Sequence, residues 1–278
     1  MSRCYKMSSF VEIKAERFDL VSNLRELWQH RELLYFLVWR DLKVRYKQTL
    51  IGFGWVLIQP LMITLIFSLI LSRYAQDFLE KVPYWLFAFS GFSFWSFVST
   101  AINLSANCFI QHKELVTRVY FPRILMPLAS VLSTTLDLLI SLIILLVAVI
   151  GFEGLPSWKI LLLPICTALI MLFTISIGIL LSALNVLYRD VKHALPFLLQ
   201  LMMFITPVFY SINFLPEKWR ILWYLNPLTG SFEAMRSSLF DLEINFIALI
   251  FSIILTIITF ITSLYVFSKL EDSFADII

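Results

Sequence analysis

The chain offers few side chains of the kinds that catalyse reactions, and their spacing does not suit catalysis. Its three histidines, His30, His112 and His193, lie far apart in sequence. There is no HExxH or CxxC motif to hold a metal, and no GxSxG motif to expose a nucleophilic serine. The sequence also has no GxxxxGK[ST] phosphate loop, and no glycine is followed by lysine. We therefore expect the chain not to be an enzyme, to bind no metal or cofactor itself, and to hydrolyse no ATP.

Asp137 is the only acid that falls well inside a long apolar segment. A charge within a membrane is costly, so it needs a structural or functional reason. Two interpretations stay open: Asp137 couples transport to protons, or it is a structural acid held by the serine and threonine hydroxyls near "STTLD". One intramembrane acid is thin support for an ion-driven carrier. If the chain transports a substrate, the energy is expected to come from elsewhere.

A basic and aromatic stretch, "RDLKVRYKQTLIGFGWVLIQP" at residues 40–60, leads into the first long apolar segment. It begins with four cations in eight residues, Arg40, Lys43, Arg45 and Lys47. Residues 22–47 are predicted to be helical because apolar and aromatic residues recur along one stripe. The stripe consists of Leu24, Trp28, Tyr35, Trp39, Leu42 and Tyr46. A basic amphipathic helix of this kind lies in the plane of the lipid headgroups. It either anchors the chain and fixes its topology or docks a soluble partner.

Composition places the chain among polytopic membrane proteins. Of its 278 residues, 60% are hydrophobic and 15% are charged, whereas soluble domains are closer to half apolar and a quarter charged. The predicted fold is all-α with six transmembrane helices, since the strict alternation of barrel strands is absent and six segments are long enough to cross about 30 Å of hydrocarbon. These segments are about 51–72, 83–104, 125–150, 158–183, 194–213 and 244–267. Gly52 and Gly54 permit a bend before the first span, and Pro60 is expected to kink it.

The distribution of lysine and arginine predicts the orientation of the chain. Sixteen cations fall on one side of the predicted spans and six on the other. The side that is richer in cations faces the cytoplasm, so both termini are predicted to be inside. The chain then divides into a cytoplasmic segment with the interface helix at 1–50, a transmembrane domain at 51–267 and a cytoplasmic tail at 268–278.

The segment 214–242 lies outside in this topology and is too apolar for a solvated loop. We predict two short helices that dip back into the outer half of the membrane and form a re-entrant hairpin that gates an exit. The candidate gate residues are Trp219, Trp223, Asn226, Pro227, Glu233 and Arg236. Glu233 and Arg236 are three residues apart and could pair on a helix, either as part of the gate or as a local salt bridge.

Four stretches, in this order along the chain, resemble one family of membrane proteins. They are "RDLKVRYKQTLIGFGWVLIQPL" from Arg40, "VYFPRILMPLASVLS" from Val119, "NVLYRDVKHALPFLLQ" from Asn185 and "WYLNPLTGSFEAMRSSLF" from Trp223. Together with six predicted spans, they resemble the type-2 ABC exporter permeases that move polysaccharides. The most similar subgroup exports O-antigen, capsule or teichoic acid, in some cases for lipopolysaccharide biosynthesis.

The resemblance implies an assembly and a substrate. Such a permease forms a homodimer in the bacterial cytoplasmic (inner) membrane, and two copies of a cytoplasmic ABC ATPase subunit bind it. ATP and Mg²⁺ act only through that ATPase. The substrate is a glycan on a polyprenyl diphosphate lipid, and membrane lipids, but no nucleic acid, are the other expected partners.

The resemblance also implies two groups of functional residues. The ATPase-coupling interface would be Trp39, Arg40, Lys43, Arg45, Lys47, Lys113, Glu114, Arg118, Tyr120, Arg123, Arg189 and Asp190. Within it, the loop at 105–124 is expected to form a short helix that ends before Pro122. Aromatic residues stack on sugar rings, and the candidates for a glycan pathway are Trp55, Phe92, Trp95, Phe204, Phe209 and Tyr210.

Three alternatives remain at this stage. The same fold could export another cargo, such as a drug, a lipid or heme. A membrane-bound transferase acting on lipid-linked glycans would need clustered acids or histidines, and the sequence offers no such cluster. An ion-coupled carrier would depend on Asp137.

Overall fold

The computed structural model describes residues 28–47, 52, 54–75, 82–118, 121–154, 156–188, 190–271 and 274. Tyr120 and Arg189, both predicted to contact an ATPase, lie outside these residues, as do the side chain of Arg118 and the predicted helical residues 22–27. Within the described ranges all regular structure is helical, which confirms the all-α prediction.

The helices follow one another with short connections. They are α1 (Arg31–Tyr46), α2 (Gly54–Ala75), α3 (Tyr84–Gln111), α4 (Lys113–Arg118), α5 (Leu125–Glu153), α6 (Leu163–Leu187), α7 (Asp190–Ile205), α8 (Glu217–Tyr224), α9 (Pro227–Phe240) and α10 (Phe246–Glu271). A 3₁₀ turn at Trp158–Leu162 leads directly into α6, and another at Ile212–Phe214 precedes α8.

Five helical segments in the described ranges are long and apolar enough to cross a membrane. They are α2, α3, α5, α6 with its preceding 3₁₀ turn, and α10, and they correspond to five of the six predicted spans. The predicted span at 194–213 instead contains the end of α7, which has 16 residues and stops at Ile205. At 1.5 Å per residue this helix is about 24 Å long, shorter than the hydrocarbon thickness of about 30 Å. A sixth crossing therefore stays a prediction.

Helix α3 is the centre of the bundle. In its most apolar window 78% of the residues are buried, against 11% in α2. It packs against α2, α5 and α6, and its aromatic side chains fill the core. The buried members are Tyr84, Phe87, Phe89, Phe92, Phe94, Trp95, Phe97 and Phe109. Their large apolar surfaces are the main contribution of α3 to the stability of the bundle.

Two residues of the predicted glycan pathway belong to this core. Phe92 is 2% exposed and Trp95 is 6% exposed, and their place in a glycan pathway stays a prediction. Helix α3 also continues seven residues beyond its predicted end at residue 104. Its last turns carry Asn103 and Asn107, whose polar side chains gave the appearance of a loop.

Helix α1 keeps most of its aromatic stripe away from the bundle. Leu37 is its buried residue and packs in a cluster with Phe121 and Leu125. Trp28, Tyr35 and Trp39 of the predicted stripe are 71%, 64% and 56% exposed. The aromatic stripe therefore remains available to lipid or to another protein. Between α1 and α2, Gly52 has a φ of +57°, a conformation that favours glycine, and the predicted bend lies there.

Candidate functional site

An ion pair joins the end of α1 to the middle of α5. Arg45 donates to Asp137 at 2.7 Å and to the hydroxyl of Ser133 at 3.0 Å. The hydroxyl of Tyr46 donates to the other carboxylate oxygen of Asp137. We call Arg45, Tyr46 and Asp137 the clamp. It gives the acid within a span a structural reason to be there, since buried charges are stabilised by pairing and hydrogen bonding.

The direction of α1 follows from the same contacts. Leu37 packs near Leu125 at the start of α5, and Arg45 reaches Asp137 twelve residues further along. From the first contact to the second, the residue numbers increase on both helices. Helix α1 therefore runs parallel to the first half of α5. A movement of α1 would consequently be transmitted to α5 through the clamp.

A second contact brings α1 to the turn between α3 and α4. Arg40 forms an ion pair with Asp41 at 2.8 Å, and the Nε2 atom of His112 lies 4.0 Å from the same Asp41 oxygen. Burial, with a contribution from Arg40, lowers the pKa of His112, which favours the neutral imidazole. Two segments that the resemblance assigned to ATPase contact therefore meet on one end of the bundle.

Half of the residues predicted for that contact are exposed. The exposed residues are Trp39, Lys43, Lys47, Lys113, Glu114 and Asp190. Among the others, Arg45 belongs to the clamp. Arg123 donates to the carbonyl of Glu271 and lies over the ring of Phe274, so it caps the last turn of α10. The predicted short helix in the loop is present as α4.

At the opposite end, the chain after α7 leaves the helical conformation at residues 206–210, which we call the break. The guanidinium of Arg236 in α9 donates to the carbonyls of Pro207 at 2.6 Å, Val208 and Tyr210 at 3.3 Å. Arg236 is 2% exposed and lies 3.7 Å from the centre of the Phe87 ring. One cation therefore satisfies three carbonyls that the helix has released.

Helices α8 and α9 form a hairpin, which we call the outer hairpin. Its side chains contact the break at two further points. Asn226 accepts from the Leu228 N–H as the N-cap of α9 and donates to the hydroxyl of Thr206 at 2.8 Å. The indole of Trp223 donates to the Tyr210 hydroxyl at 2.6 Å, and that hydroxyl donates to the Phe204 carbonyl. The second contact joins Trp223, a predicted gate residue, to Tyr210 and Phe204, which are predicted pathway residues.

The predicted pairing of Glu233 with Arg236 is wrong for the described residues: no ion pair joins them, because Arg236 is directed to the break. Glu233 instead keeps one carboxylate oxygen buried without a hydrogen-bond partner among those residues. Of the remaining gate candidates, Trp219 is 57% exposed, and Pro227 occupies the first turn of α9. Phe209 packs against Phe67 and Phe204.

A cavity of about 230 Å³ lies beside the clamp. The end of α1, the first turns of α2 and the middle of α3 and α5 enclose it. Trp55, a predicted pathway residue, lines it and is 51% exposed. Sequence analysis missed this cavity, because its polar walls come from serines and threonines that are common in membrane helices.

The described residues contain no group of three or more histidines, cysteines and acids that could hold a metal. The arrangement suits conformational coupling and binding.

Comparison with known proteins gives a consistent result. Residues 32–240 match the family model for the ABC-2 type transporter. The chain is 28% identical over 224 residues to the O-antigen export system permease protein RfbA of Myxococcus xanthus, which covers 80% of this chain and 85% of that protein. It is 29% identical over 250 residues to an O-antigen export system permease protein RfbA of Klebsiella pneumoniae, covering 89% and 95% of the two chains. It is also 21% identical over 226 residues to the capsule polysaccharide export inner-membrane protein CtrC of Neisseria meningitidis serogroup A, covering 79% and 83%.

Proposed function

Because the chain belongs to the ABC-2 type transporter family, we propose that it is the permease subunit of an ATP-driven exporter of lipid-linked polysaccharide. It is a multi-pass protein of the bacterial cytoplasmic membrane and not an enzyme, and a separate ABC ATPase hydrolyses ATP. The observation that carries the cargo class is that relatives named for O-antigen and capsule polysaccharide export align with at least 79% of this chain.

The proposed topology has six crossings with both termini inside. In it, α7 and the break together form the fifth crossing. Irregular backbone is tolerated at membrane depth where protein groups satisfy it, and Arg236 provides three such hydrogen bonds. The outer hairpin is then a re-entrant element that gates the exit, and its contacts to the break are what a gate would have to release.

The proposed assembly is a homodimer with two cytoplasmic ATPase subunits. Helix α2 leaves a row of large apolar side chains uncovered. They are Leu61, Met62, Ile63, Leu65, Ile66, Leu69 and Ile70. This face suits a second copy of the chain. The exposed residues Trp39, Lys43 and Lys47 of α1, with Lys113 and Glu114 of α4, suit contact with the ATPase. ATP and Mg²⁺ belong to that subunit, and this chain binds no cofactor.

The proposed substrate is a glycan carried on a polyprenyl diphosphate. An O-antigen or a capsular polymer agrees with the names of the relatives, and a teichoic acid is a further candidate from the sequence resemblance. Export of another cargo such as a drug or a lipid would use the same fold, but no described contact favours it. The ion pair of Asp137 with Arg45 gives the acid a role without ion coupling, so the carrier hypothesis loses its main support.

Partner capture tests the proposal. The tagged chain is purified from native membranes in mild detergent, its partners are identified, and ATP turnover is measured with and without lipid-linked glycan. We expect a stoichiometric ATPase subunit and stimulation by the glycan. Exchange of Lys43 and Lys47 for glutamine should weaken capture, whereas Lys218→Gln in the outer hairpin is the matched control. A chain that stays alone and shows no ATP turnover would contradict the proposal.

A further inference from the structure

The cavity beside the clamp has an unusual lining for a membrane helix bundle. Hydroxyl groups come from α3 and α5, an amide from α2, and a charged pair from α1 and α5. The polar lining residues are Arg45, Tyr46, Gln59, Ser93, Ser96, Thr100, Thr134, Asp137 and Ser141. Trp55 and Phe97 add aromatic surface. Such a mixture offers both hydrogen-bond donors and acceptors around a small volume.

The charges of the lining cancel. Arg45 and Asp137 form an ion pair at 2.7 Å, and among the described residues that line the cavity they are the only ones with ionised side chains at neutral pH. A diphosphate would compete with Asp137 for the guanidinium, and a cation would compete with Arg45 for the carboxylate. The cavity is therefore suited to a neutral ligand that both donates and accepts hydrogen bonds.

One polar group of the lining lacks its partner. The Ser93 side chain is 3% exposed, and its hydroxyl has no hydrogen-bond partner among the described residues. Buried hydroxyl groups are nearly always hydrogen-bonded. Ser93 lines the cavity, so a rotation of its side chain would bring the hydroxyl to a ligand that supplies the missing bond, while the pairs formed by Arg45 and Tyr46 with Asp137 stay intact.

The size and position of the cavity restrict the ligand further. Its volume of about 230 Å³ lies below the usual range of drug-sized pockets, roughly 300–1,000 Å³, so one ring fits better than an oligosaccharide. Asp137 is twelve residues into α5, about 18 Å along that helix. Because Trp55 belongs to a helix that is long and apolar enough to cross a membrane, a group attached to a membrane lipid reaches the cavity more readily than a free solute. The half-exposed indole of Trp55 lies on the same wall as the uncovered face of α2.

We propose that this cavity binds a single neutral sugar ring, presented by a lipid-linked glycan within the membrane. The ring stacks on Trp55 and donates or accepts hydrogen bonds at Ser93, Gln59 and the clamp. The inference rests on the proposed function for the source of the ring. A sugar ring in the cavity would also contact Arg45 and Tyr46. Its binding would therefore be transmitted to α1 through these two residues.

Protection of an engineered cysteine tests the site. Ser96→Cys places a thiol in the cavity wall, and the native Cys108 and Cys166 are buried; Cys4 is changed to serine. The full chain, with its captured ATPase, is reconstituted in nanodiscs and treated with a small thiosulfonate reagent. The probes are octyl β-glucoside below its micellar concentration, free glucose and octyl phosphate. Ser268→Cys, on α10 at an exposed position, is the control.

We expect octyl β-glucoside to slow modification of S96C about fivefold at four times its Kd and to leave S268C unchanged. Trp55→Leu should remove the protection. Equal protection by free glucose at the same concentration would keep the sugar site but overturn its lipid-linked source. Equal or better protection by octyl phosphate would overturn the preference for a neutral ring.

Absence of protection by any probe would leave a cavity that holds water only and would overturn the proposal. Thr100→Cys lines the same cavity and replaces S96C if that variant fails to fold. If neither thiol reacts, the cavity is closed to ligands and the proposal fails as well. In each case partner capture and glycan-stimulated ATP turnover are measured separately, so failure of this site is distinguishable from failure of the proposed function.

Discussion

At the residue scale, two charged side chains within the membrane domain, those of Asp137 and Arg236, have defined structural partners. The sequence identified Asp137 as a residue that needed a reason, but it could not identify Arg45, which is 92 positions away. The same holds for Arg236: its position in the outer hairpin was predicted, while its carbonyl partners depend on where α7 ends. Long-range pairing of this kind has no local sequence signal, so the candidate residues were predictable and their contacts were not.

Breaking the clamp from either side should be more harmful than removing it whole. Asp137→Asn or Arg45→Gln leaves one half-buried charge without its partner, which we expect to cost about 1–3 kcal/mol in the free energy of unfolding. The double variant should lose less than the sum of the two single variants. Thermal unfolding of the purified chain measures all three, and strictly additive losses would show that Arg45 and Asp137 are not coupled.

Replacing Arg236 should remove the hydrogen bonds that hold the outer hairpin to the break. Arg236→Met removes three hydrogen bonds to the break and leaves buried carbonyls unpaired, at an expected cost of about 3–5 kcal/mol. Arg236→Lys keeps the charge but loses the planar fork, so its loss should be intermediate. The readouts are thermal stability and glycan export. An Arg236→Met protein with unchanged stability would show that the break does not depend on this side chain.

The stability of the chain should fall in mild acid because of His112. Burial and Arg40 lower the pKa of this imidazole in the folded state, so the unfolded chain binds more protons just below its ordinary pKa of about 6.5. Stability is therefore fully present above pH 6.5 and decreases as the pH falls below it. We expect His112→Gln to flatten this part of a melting-temperature profile measured from pH 7.5 to 5.5. Identical profiles for the two proteins would assign the dependence to other groups.

At the element scale, α3 shows which properties of a helix its sequence pattern predicts and which it does not. Its apolar character predicted a span, and its length and central position were missed. Asn103 and Asn107 resemble loop residues, yet they bond to each other within the helix, and Asn185 of α6 donates to the carbonyl of Ala106. The aromatic side chains of α3 were considered for a glycan pathway, but they mainly pack. Composition cannot distinguish a lipid-facing phenylalanine from a core one when both environments are apolar.

The approach of α3 to the break provides a test at this scale. A Cβ atom at Gly91 would overlap the Val208 carbonyl and the Arg236 guanidinium. Gly91→Ala should therefore separate α3 from the break, with an expected cost of at least about 1–3 kcal/mol. Gly151→Ala in α5, where nothing lies within 4 Å of the added methyl group, is the matched control. Equal melting temperatures for the two variants would mean that this close approach does not occur.

At the scale of the whole molecule, composition and positive charge predicted a polytopic bundle, and five of its spans are present as helices. The predicted span at 194–213 is not one continuous helix, because the chain leaves the helix at Thr206 and the distant Arg236 donates hydrogen bonds to its backbone carbonyls; the sixth crossing stays a prediction. The apolar face of α2 has a similar explanation. The sequence of α2 is apolar like that of the other spans. Only the packing shows that so little of this helix is covered by the rest of its own chain.

Cysteine labelling in intact cells tests the topology. We expect Trp158→Cys and Lys218→Cys to react with a membrane-impermeant maleimide from outside, and Tyr188→Cys not to react. All three positions are exposed on the surface of the chain. Because residues 188 and 218 flank α7 and the break, labelling of both from the same side would show that this segment does not cross the membrane.

The most direct test of the account is ATP-dependent movement of glycan across a membrane. The chain and its captured ATPase are reconstituted in proteoliposomes with a radiolabelled polyprenyl diphosphate glycan, and transfer across the bilayer is followed by protection from an added glycosidase. The account predicts transfer that requires ATP and Mg²⁺ and that persists when the proton gradient is collapsed. Transfer driven by a proton gradient without ATP, and abolished by Asp137→Asn, would contradict it.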